Sequence, residues 1–335
     1  MHNRIIYDYI SFSSKIHDPV SVIEMLGLAD CNFEHMNGIN GYKDRLFFSD
    51  ISVCYNGRED MGIFVNMSGQ GCRAFETYGN GDYDVLFAEI IDNYDPDGNK
   101  RQMNLTRLDV AFDDFDGVLD LDIILNETIA RHFVMRFNKG SVEFPFGNSE
   151  EEDGGITIYY GSKSSDTRIR IYDKKEEQQR DDLDHWVRCE LQLRRENALG
   201  FITAGGSIGQ KYFGVINNYL RFVTPNESDS NKRRWETADF WKKFIQYDDV
   251  ISVYSKPGVD YDIHKLDNYV YGQCSGAITT LIDIIGVQRF FKKLVESRSG
   301  RVDNPKYGLL KKRLSDFSEP YRDDCISKYL VAAYA

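Results

Sequence analysis

The chain is 335 residues long, 41% hydrophobic, and carries a formal net charge of −12 at neutral pH. A chain of this length buries a full hydrophobic core as one large or two medium domains, which excludes dependence on disulfides or a structural metal for folding. Its six cysteines (Cys31, Cys54, Cys72, Cys189, Cys274, Cys325) show no C-x-x-C spacing, no charged leader precedes an apolar stretch, and no uncharged apolar run of about 18 residues occurs, so a reduced, cytoplasmic protein without a membrane span is expected.

In chain order, period-two alternation predicts strands over 5–14, 46–55, 62–68, 105–113, 155–161, 168–174 and 186–194. Helical periodicity predicts helices over 20–26, 83–93, 119–133 and 210–220. This mixture fits an α+β fold rather than a doubly wound parallel sheet. Asp8-Tyr9-Ile10-Ser11-Phe12, with a helix and hairpin after it, is echoed by Asp109-Val110-Ala111-Phe112-Asp113. The echo predicts two tandem halves of β-α-β-β type, about 1–100 and 101–222, joined in one curved, mainly antiparallel sheet with helices behind it. The acidic segment 147–155 reads as a hairpin tip, and 223–234, rich in Ser, Asn and charge after Pro225, reads as a linker. Helical patterns over 235–247, 264–270, 275–286, 287–297 and 307–315 then predict a separate helical domain spanning 235–335.

An acidic total argues against a nucleic-acid partner, but the charge is unevenly spread. Between 286 and 315 nine basic residues face two acidic ones, a local charge of +7. Lys292, Lys293, Arg298, Lys311, Lys312 and Arg313 are therefore candidate DNA contacts, with a solvated helical surface as the plain alternative.

Three predicted strands carry charge on one face only. Arg107, Asp109 and Asp113 oppose Leu108, Val110 and Phe112; Arg168, Arg170, Tyr172 and Lys174 oppose Ile169 and Ile171; Arg188, Glu190, Gln192 and Arg194 oppose Val187, Cys189, Leu191 and Leu193. Paired in one sheet, they would gather a phenol, carboxylates and guanidinium groups. Strand cleavage by a tyrosine needs that set, because a phenol ionises only near pH 10 and the scissile phosphate needs positive charge. Carboxylates on a rigid sheet suit Mg²⁺ or Mn²⁺. The alternative is a solvated sheet face laced with cross-strand ion pairs, and with 21 tyrosines any one is more often a packing residue. Tyr159 and Tyr160, ahead of the Gly161-Ser162-Lys163-Ser164 turn, compete with Tyr172. The six histidines form no pair at metal-binding spacing, and neither a P-loop nor a complete dinucleotide fingerprint occurs, so zinc, ATP and NAD are not implied. His185 reads as a surface histidine.

Five segments occur in order: Val65-Asn66-Met67-Ser68-Gly69-Gln70-Gly71-Cys72-Arg73, Leu105-Thr106-Arg107-Leu108-Asp109-Val110-Ala111-Phe112-Asp113-Asp114, Tyr159-Tyr160-Gly161-Ser162-Lys163-Ser164-Ser165, Arg170-Ile171-Tyr172-Asp173-Lys174-Lys175-Glu176 and Trp186-Val187-Arg188-Cys189-Glu190-Leu191. Together, over about residues 5–220, they resemble the replication initiation factor (Rep_trans) family of rolling-circle plasmid and phage initiators and the MOBT relaxases of conjugative elements. The resemblance implies a nicking-closing enzyme that recognises an origin, forms a 5′-phosphotyrosine link and leaves a free 3′ hydroxyl. Carried over by residue, it implies Tyr172 as nucleophile with Tyr160 or Tyr159 as rivals, and Asp109 and Glu190 as ligands of Mg²⁺ or Mn²⁺ with Asp113 as a third. Arg170, Lys174 and Arg188 would hold phosphate. Origin DNA, single-stranded at the nick, is the implied partner, and a host helicase and a homodimer fit such an initiator. A non-catalytic DNA-binding regulator of the same fold and a water-using metal-dependent nuclease remain the alternatives.

Overall fold

The computed structural model describes residues 2–94, 102–145, 155–246, 270–271 and 274–298. The first half runs β1 (Arg4–Ser14), α1 (Pro19–Met25), a meander of β2 (Glu34–Asn37), β3 (Asp44–Phe48), β4 (Ile51–Tyr55) and β5 (Ile63–Met67), then α2 (Gly69–Tyr78) and α3 (Tyr83–Asp92). The second half repeats the plan. It runs β6 (Met103–Asp114), α4 (Leu121–Ile129), the short β7 (Phe133–Met135), a meander of β8 (Gly140–Glu143), β9 (Thr157–Tyr160), β10 (Thr167–Asp173), the single-turn α5 (Lys174–Gln178) and β11 (Val187–Arg194), then α6 (Arg195–Thr203) and α7 (Ile208–Tyr219).

Ten of these strands form one antiparallel sheet in the order β2-β3-β4-β5-β1-β6-β11-β10-β9-β8. The order reads alike from the central β1–β6 pair outward in both directions, so the halves are related by a pseudo-twofold axis between those strands. Tandem halves and a mainly antiparallel sheet are as expected, with each half carrying a longer meander. The predicted strand over 46–55 is two strands, because Ser49 and Asp50 both take positive φ (43° and 64°) and close a two-residue hairpin.

Leu108, Val110, Phe112, Ile169, Ile171, Cys189, Leu191 and Leu193 all turn to the helix side and are buried there. Helix α7 starts at a capping box in which Ser207 and Gln210 exchange side-chain and backbone bonds, and it lays Tyr212 and Phe213 on that layer. Beyond it, β12 (Leu220–Phe222) pairs with β7, and α8 (Asp239–Ile245) sets Trp241 and Phe244 into the same core, with the Phe112 and Phe244 rings 5.3 Å apart.

This packing corrects the expected linker. Residues 223–234 form a folded segment: Val223 is buried and bridges to Thr237, Arg234 pairs with Asp229, and Lys232 donates to the Arg131 carbonyl. Its polar composition reflects side-chain-capped turns rather than a free tether, and the helix expected to open a separate domain at 235 belongs to the first core. Farther on, α9 (Ser275–Ile285) and α10 (Val287–Arg298) form a helical pair. The expected hairpin tip lies almost wholly outside the described residues, as do the helical patterns over 264–270 and 307–315 apart from Val270. Among the described residues no helix is long and apolar enough to cross a membrane.

Candidate active site

Register brings the charged faces of β6, β11 and β10 together. Arg107, Asp109 and Asp113 lie opposite Arg194, Gln192 and Arg188 on β11, and there Arg188, Glu190 and Gln192 lie opposite Tyr172, Arg170 and Arg168 on β10. Residues directly opposite share a face, so one side of the sheet carries them all. Its two ends differ in character.

At one end the face is a buried ion-pair lattice. Asp113, fully buried, accepts from Arg4 Nε at 2.8 Å, Trp186 Nε1 at 2.9 Å, and Arg188 Nε and Nη2 at 2.6 and 3.0 Å. Burial alone would raise its pKa, but Arg188 and Arg4 overcome this and hold the carboxyl far below its usual range. The third nitrogen of Arg188, Nη1, reaches Asp8 at 2.9 Å. Phe115 and Trp186, with ring centroids 5.4 Å apart, cover this end. Two sequence expectations are corrected here: four donors occupy the Asp113 carboxylate, leaving no room for it as a metal ligand, and two carboxylates occupy Arg188, so it is not open to phosphate. Part of the face is thus the ion-pair lattice that alternation alone suggested.

In the middle lie Asp109, Glu190 and Tyr172, each 4% exposed or less. Arg107 grips Asp109 with Nε at 2.9 Å and Nη2 at 2.5 Å. Arg170 Nη2 is shared between Glu190 Oε2 at 2.5 Å and Tyr172 Oη at 3.3 Å, and its guanidinium sits 4.4 Å from the Tyr172 ring centroid. Lys174 is buried, pairs with Glu177, and lies 5.6 Å from the Tyr172 ring, so it faces the phenol rather than an open surface. Burial, with Glu190 and Glu177, pushes the Tyr172 phenol well above its ordinary pKa against the opposing pull of Arg188 and Arg170.

Sequence reasoning missed Asp8. Register shifts by one residue between Tyr7 and Tyr9, which makes Asp8 the extra residue of a β-bulge. Tyr7 packs on Tyr83 and Phe87 of α3, while Asp8 reaches across to Arg188. The internal repeat, in which Asp8 matches Asp109, was the signal that could have found it. Gly69, at the start of α2, leaves space for this carboxylate: a Cβ there would come 3.0 Å from Asp8 Oδ1.

Asp109 and Glu190 offer the oxygen donors a hard divalent cation takes, each paired here with one arginine. Burial, with the negative charges of Glu190 and Asp8, pushes the Asp109 carboxyl up to about 7 despite Arg107. Carboxylates that repel one another in a buried place are the chemistry such a cation relieves. Among the described residues no ready three-ligand cluster lies at metal spacing, so two carboxylates would leave the remaining positions to water and phosphate oxygens, as Mg²⁺ commonly has it.

Of the competing tyrosines, Tyr159 shares the polar face, opposite Arg170, with Arg168 stacked 3.9 Å from its ring. Tyr160 turns the other way, into the core, where its hydroxyl meets Thr128 Oγ1 at 2.5 Å and burial pushes its pKa up. Alternation along β9 removes Tyr160 from the site. On α10, Lys292 and Lys293 are exposed, and Lys292 stands 3.9 Å from Glu296. Arg298 ends that helix, and Lys311, Lys312 and Arg313 lie outside the described residues.

His185 is bound to Asp114 Oδ2 at 3.0 Å, and Asp114 does not share the polar face. That bond, aided by the charges of Asp114, Asp173 and Asp120 against burial, raises the ring's pKa. A raised histidine contributes stability below its unfolded pKa of about 6.5 and loses it as pH rises through the folded value. Melting temperatures of wild type and His185→Gln between about pH 5 and 8 should therefore converge as the pH rises; a constant gap would show that the pair does not titrate as described.

The N-terminal part, residues 4–88, matches the model of the rolling-circle replication initiation protein N-terminal domain, and residues 103–296 match that of the replication initiation factor. The chain is 31% identical over 290 residues to a Bacillus subtilis protein named "Putative DNA relaxase NicK", covering 82% of this chain and 80% of that protein. A solved structure, that of a rolling-circle replication initiator protein from Geobacillus stearothermophilus, superposes with a TM-score of 0.67 at 30% identity, covering 75% of this chain and 98% of the other. On the strength of both matched segments, the chain belongs to the replication initiation factor family of rolling-circle initiators and relaxases.

Proposed function

We propose that the protein nicks one strand of DNA at a replication or transfer origin, with Tyr172 as the nucleophile and Asp109 and Glu190, backed by Asp8, as the seat of a Mg²⁺ or Mn²⁺ ion. The observation that carries this reading is the common buried patch where the phenol, two carboxylates and Arg170 meet on one sheet face. When bound, the cation supplies positive charge to the phosphate oxygens and to the leaving 3′ oxygen. Tyr172 Oη gives up its proton to solvent and attacks phosphorus, a new O–P bond forms as the P–O3′ bond breaks, and the 3′ oxygen takes a proton from solvent and leaves as a hydroxyl. Arg170, donating to the phenol oxygen, orients it and favours its ionised form. Arg188, beside Tyr172 on the same face and held by Asp113 and Asp8, favours the ionised phenol through its charge. The 5′-phosphotyrosine link preserves the phosphodiester energy for rejoining.

A water-using nuclease is the second reading, and the burial of the Tyr172 phenol favours it. Incubation with supercoiled or single-stranded origin DNA and Mn²⁺ or Mg²⁺ separates the two. A covalent protein–DNA adduct, stable to detergent, is the expected product, whereas cleavage leaving a free 5′ phosphate and no adduct would hand the site to water.

A further inference from the structure

Past Glu190 the polar face opens into a cleft of about 240 Å³ whose lining brings Arg107, Lys163, Arg168, Arg170 and Arg194 around a single carboxylate, Glu190. The Nε groups of Arg168, Arg170 and Arg194 are buried there and donate to no acceptor among the described residues. Five cations around one carboxylate give the cleft a positive field suited to an anion. Arg168 is further disfavoured as a cation by burial and by the charge of Arg170.

The cleft does not end there. Lys163 and Arg168 also line a second hollow of about 420 Å³ that follows the turn Gly161–Ser164 to Lys139 and Ser141 at the edge strand β8. Ser162 Oγ lies 3.1 and 2.9 Å from the hydroxyls of Ser164 and Ser165, so this stretch offers hydroxyl groups between the cations. Lys139 and Ser141 are shared in turn with a third hollow of about 580 Å³, whose walls include Phe133, Met135, Val142 and both Tyr159 and Tyr160. The three hollows share lining residues in turn around the sheet edge, with cations in the first, hydroxyls in the second and an aromatic and aliphatic wall in the third.

The geometry points to this run of hollows as the path of single-stranded DNA leaving the cutting centre: phosphates on Arg168, Arg194, Lys163 and Lys139, and a base seated in the apolar pocket beneath β8. Phosphates next to unstacked bases are the chemistry of a single strand, since a duplex keeps its bases inside. The inference rests on the nicking reading for its direction of travel, and on the hollows alone for its ligand.

The test measures binding of a fluorescent single-stranded oligonucleotide against salt, with unlabelled duplex and inorganic phosphate as competitors, for wild type, K139Q/K163Q/R168Q and the distant exposed control Arg58→Gln. The triple variant should bind about tenfold or more weakly at moderate salt, with the slope of log affinity against log salt reduced by about 0.7 for each phosphate no longer neutralised. Arg58→Gln should match wild type, and single strand should compete better than duplex or phosphate. Melting temperature reports folding, and loss of Arg168, which stacks on Tyr159, should lower it by no more than about a few degrees. In nicking assays the triple variant should raise KM and leave kcat near wild type. Wild-type binding with an unchanged affinity and salt slope in the triple variant would overturn the path, as would equal competition by duplex. Strand binding through these side chains by a protein that cuts nothing would uphold the path and sink the nicking reading instead.

Discussion

Phenylalanine in place of Tyr172 should abolish the covalent adduct and lower strand cleavage on the order of 10³-fold or more, because the attacking atom is gone while its surroundings stay. The ring keeps its contacts with Arg170 and Lys174, and only the 3.3 Å bond from Arg170 to Oη disappears. Stability should therefore change by no more than about 1 kcal/mol, which makes the loss of activity a statement about chemistry rather than folding. Tyr159→Phe, on the same face but stacked under Arg168, serves as the comparison. An adduct that persists in Tyr172→Phe and disappears in Tyr159→Phe would transfer the nucleophile to β9. Persistence in both would remove the tyrosine mechanism from this face.

The second large effect concerns stability. Asp113→Ala leaves Arg4 and Arg188 buried without their shared carboxylate and strips Trp186 Nε1 of its acceptor, a loss of about 3–5 kcal/mol by the measure of broken buried ion pairs. The urea midpoint should fall at an unchanged m-value. Asp109→Asn, four residues earlier on the same strand, should behave in the opposite way. Its carboxyl is held up near 7 by burial, Glu190 and Asp8, so the neutral amide relieves repulsion and should leave the midpoint unchanged or higher while removing metal-dependent cleavage. Similar losses of stability in both variants would mean that the two aspartates share one structural role.

Much of this was legible in the sequence, and the physical reasons for the gaps are specific. Period-two alternation in β6, β10 and β11 is strict, so the common face of Asp109, Glu190 and Tyr172 followed directly from it. Alternation says nothing about which polar side chains pair with each other; hence Asp113 and Arg188 read as chemistry although they saturate one another in the interior. Tyr160 was ambiguous because two tyrosines stand side by side in β9, and only the pairing of Tyr159 with Arg170 fixes which one turns to the polar side. Helix α2 escaped notice because Gly69-Gln70-Gly71 looks like a loop, yet Gly71 is needed there: a Cβ would come 2.5 Å from the Asp50 carbonyl oxygen. The segment after Pro225 had the composition of a tether, and only the bond of Lys232 to the Arg131 carbonyl and the pairing of Arg234 with Asp229 reveal a fold.

The two central strands contain a second register shift, between Ser11 and Phe12, where Thr106 of β6 is the residue left over. One strand gains a residue at Asp8 and its partner gains one at Thr106, so the pairing before and after the interval is identical. The stretch that bears Arg107 and Asp109 is thus enclosed by two dislocations that cancel on its β1 side, while its pairing with β11 runs through without a shift. Removing Asp8 altogether would restore ordinary alternation from Tyr7 to Tyr9. Such a deletion would leave the neighbouring side chains facing as before, at the expense of the carboxylate that meets Arg188 Nη1.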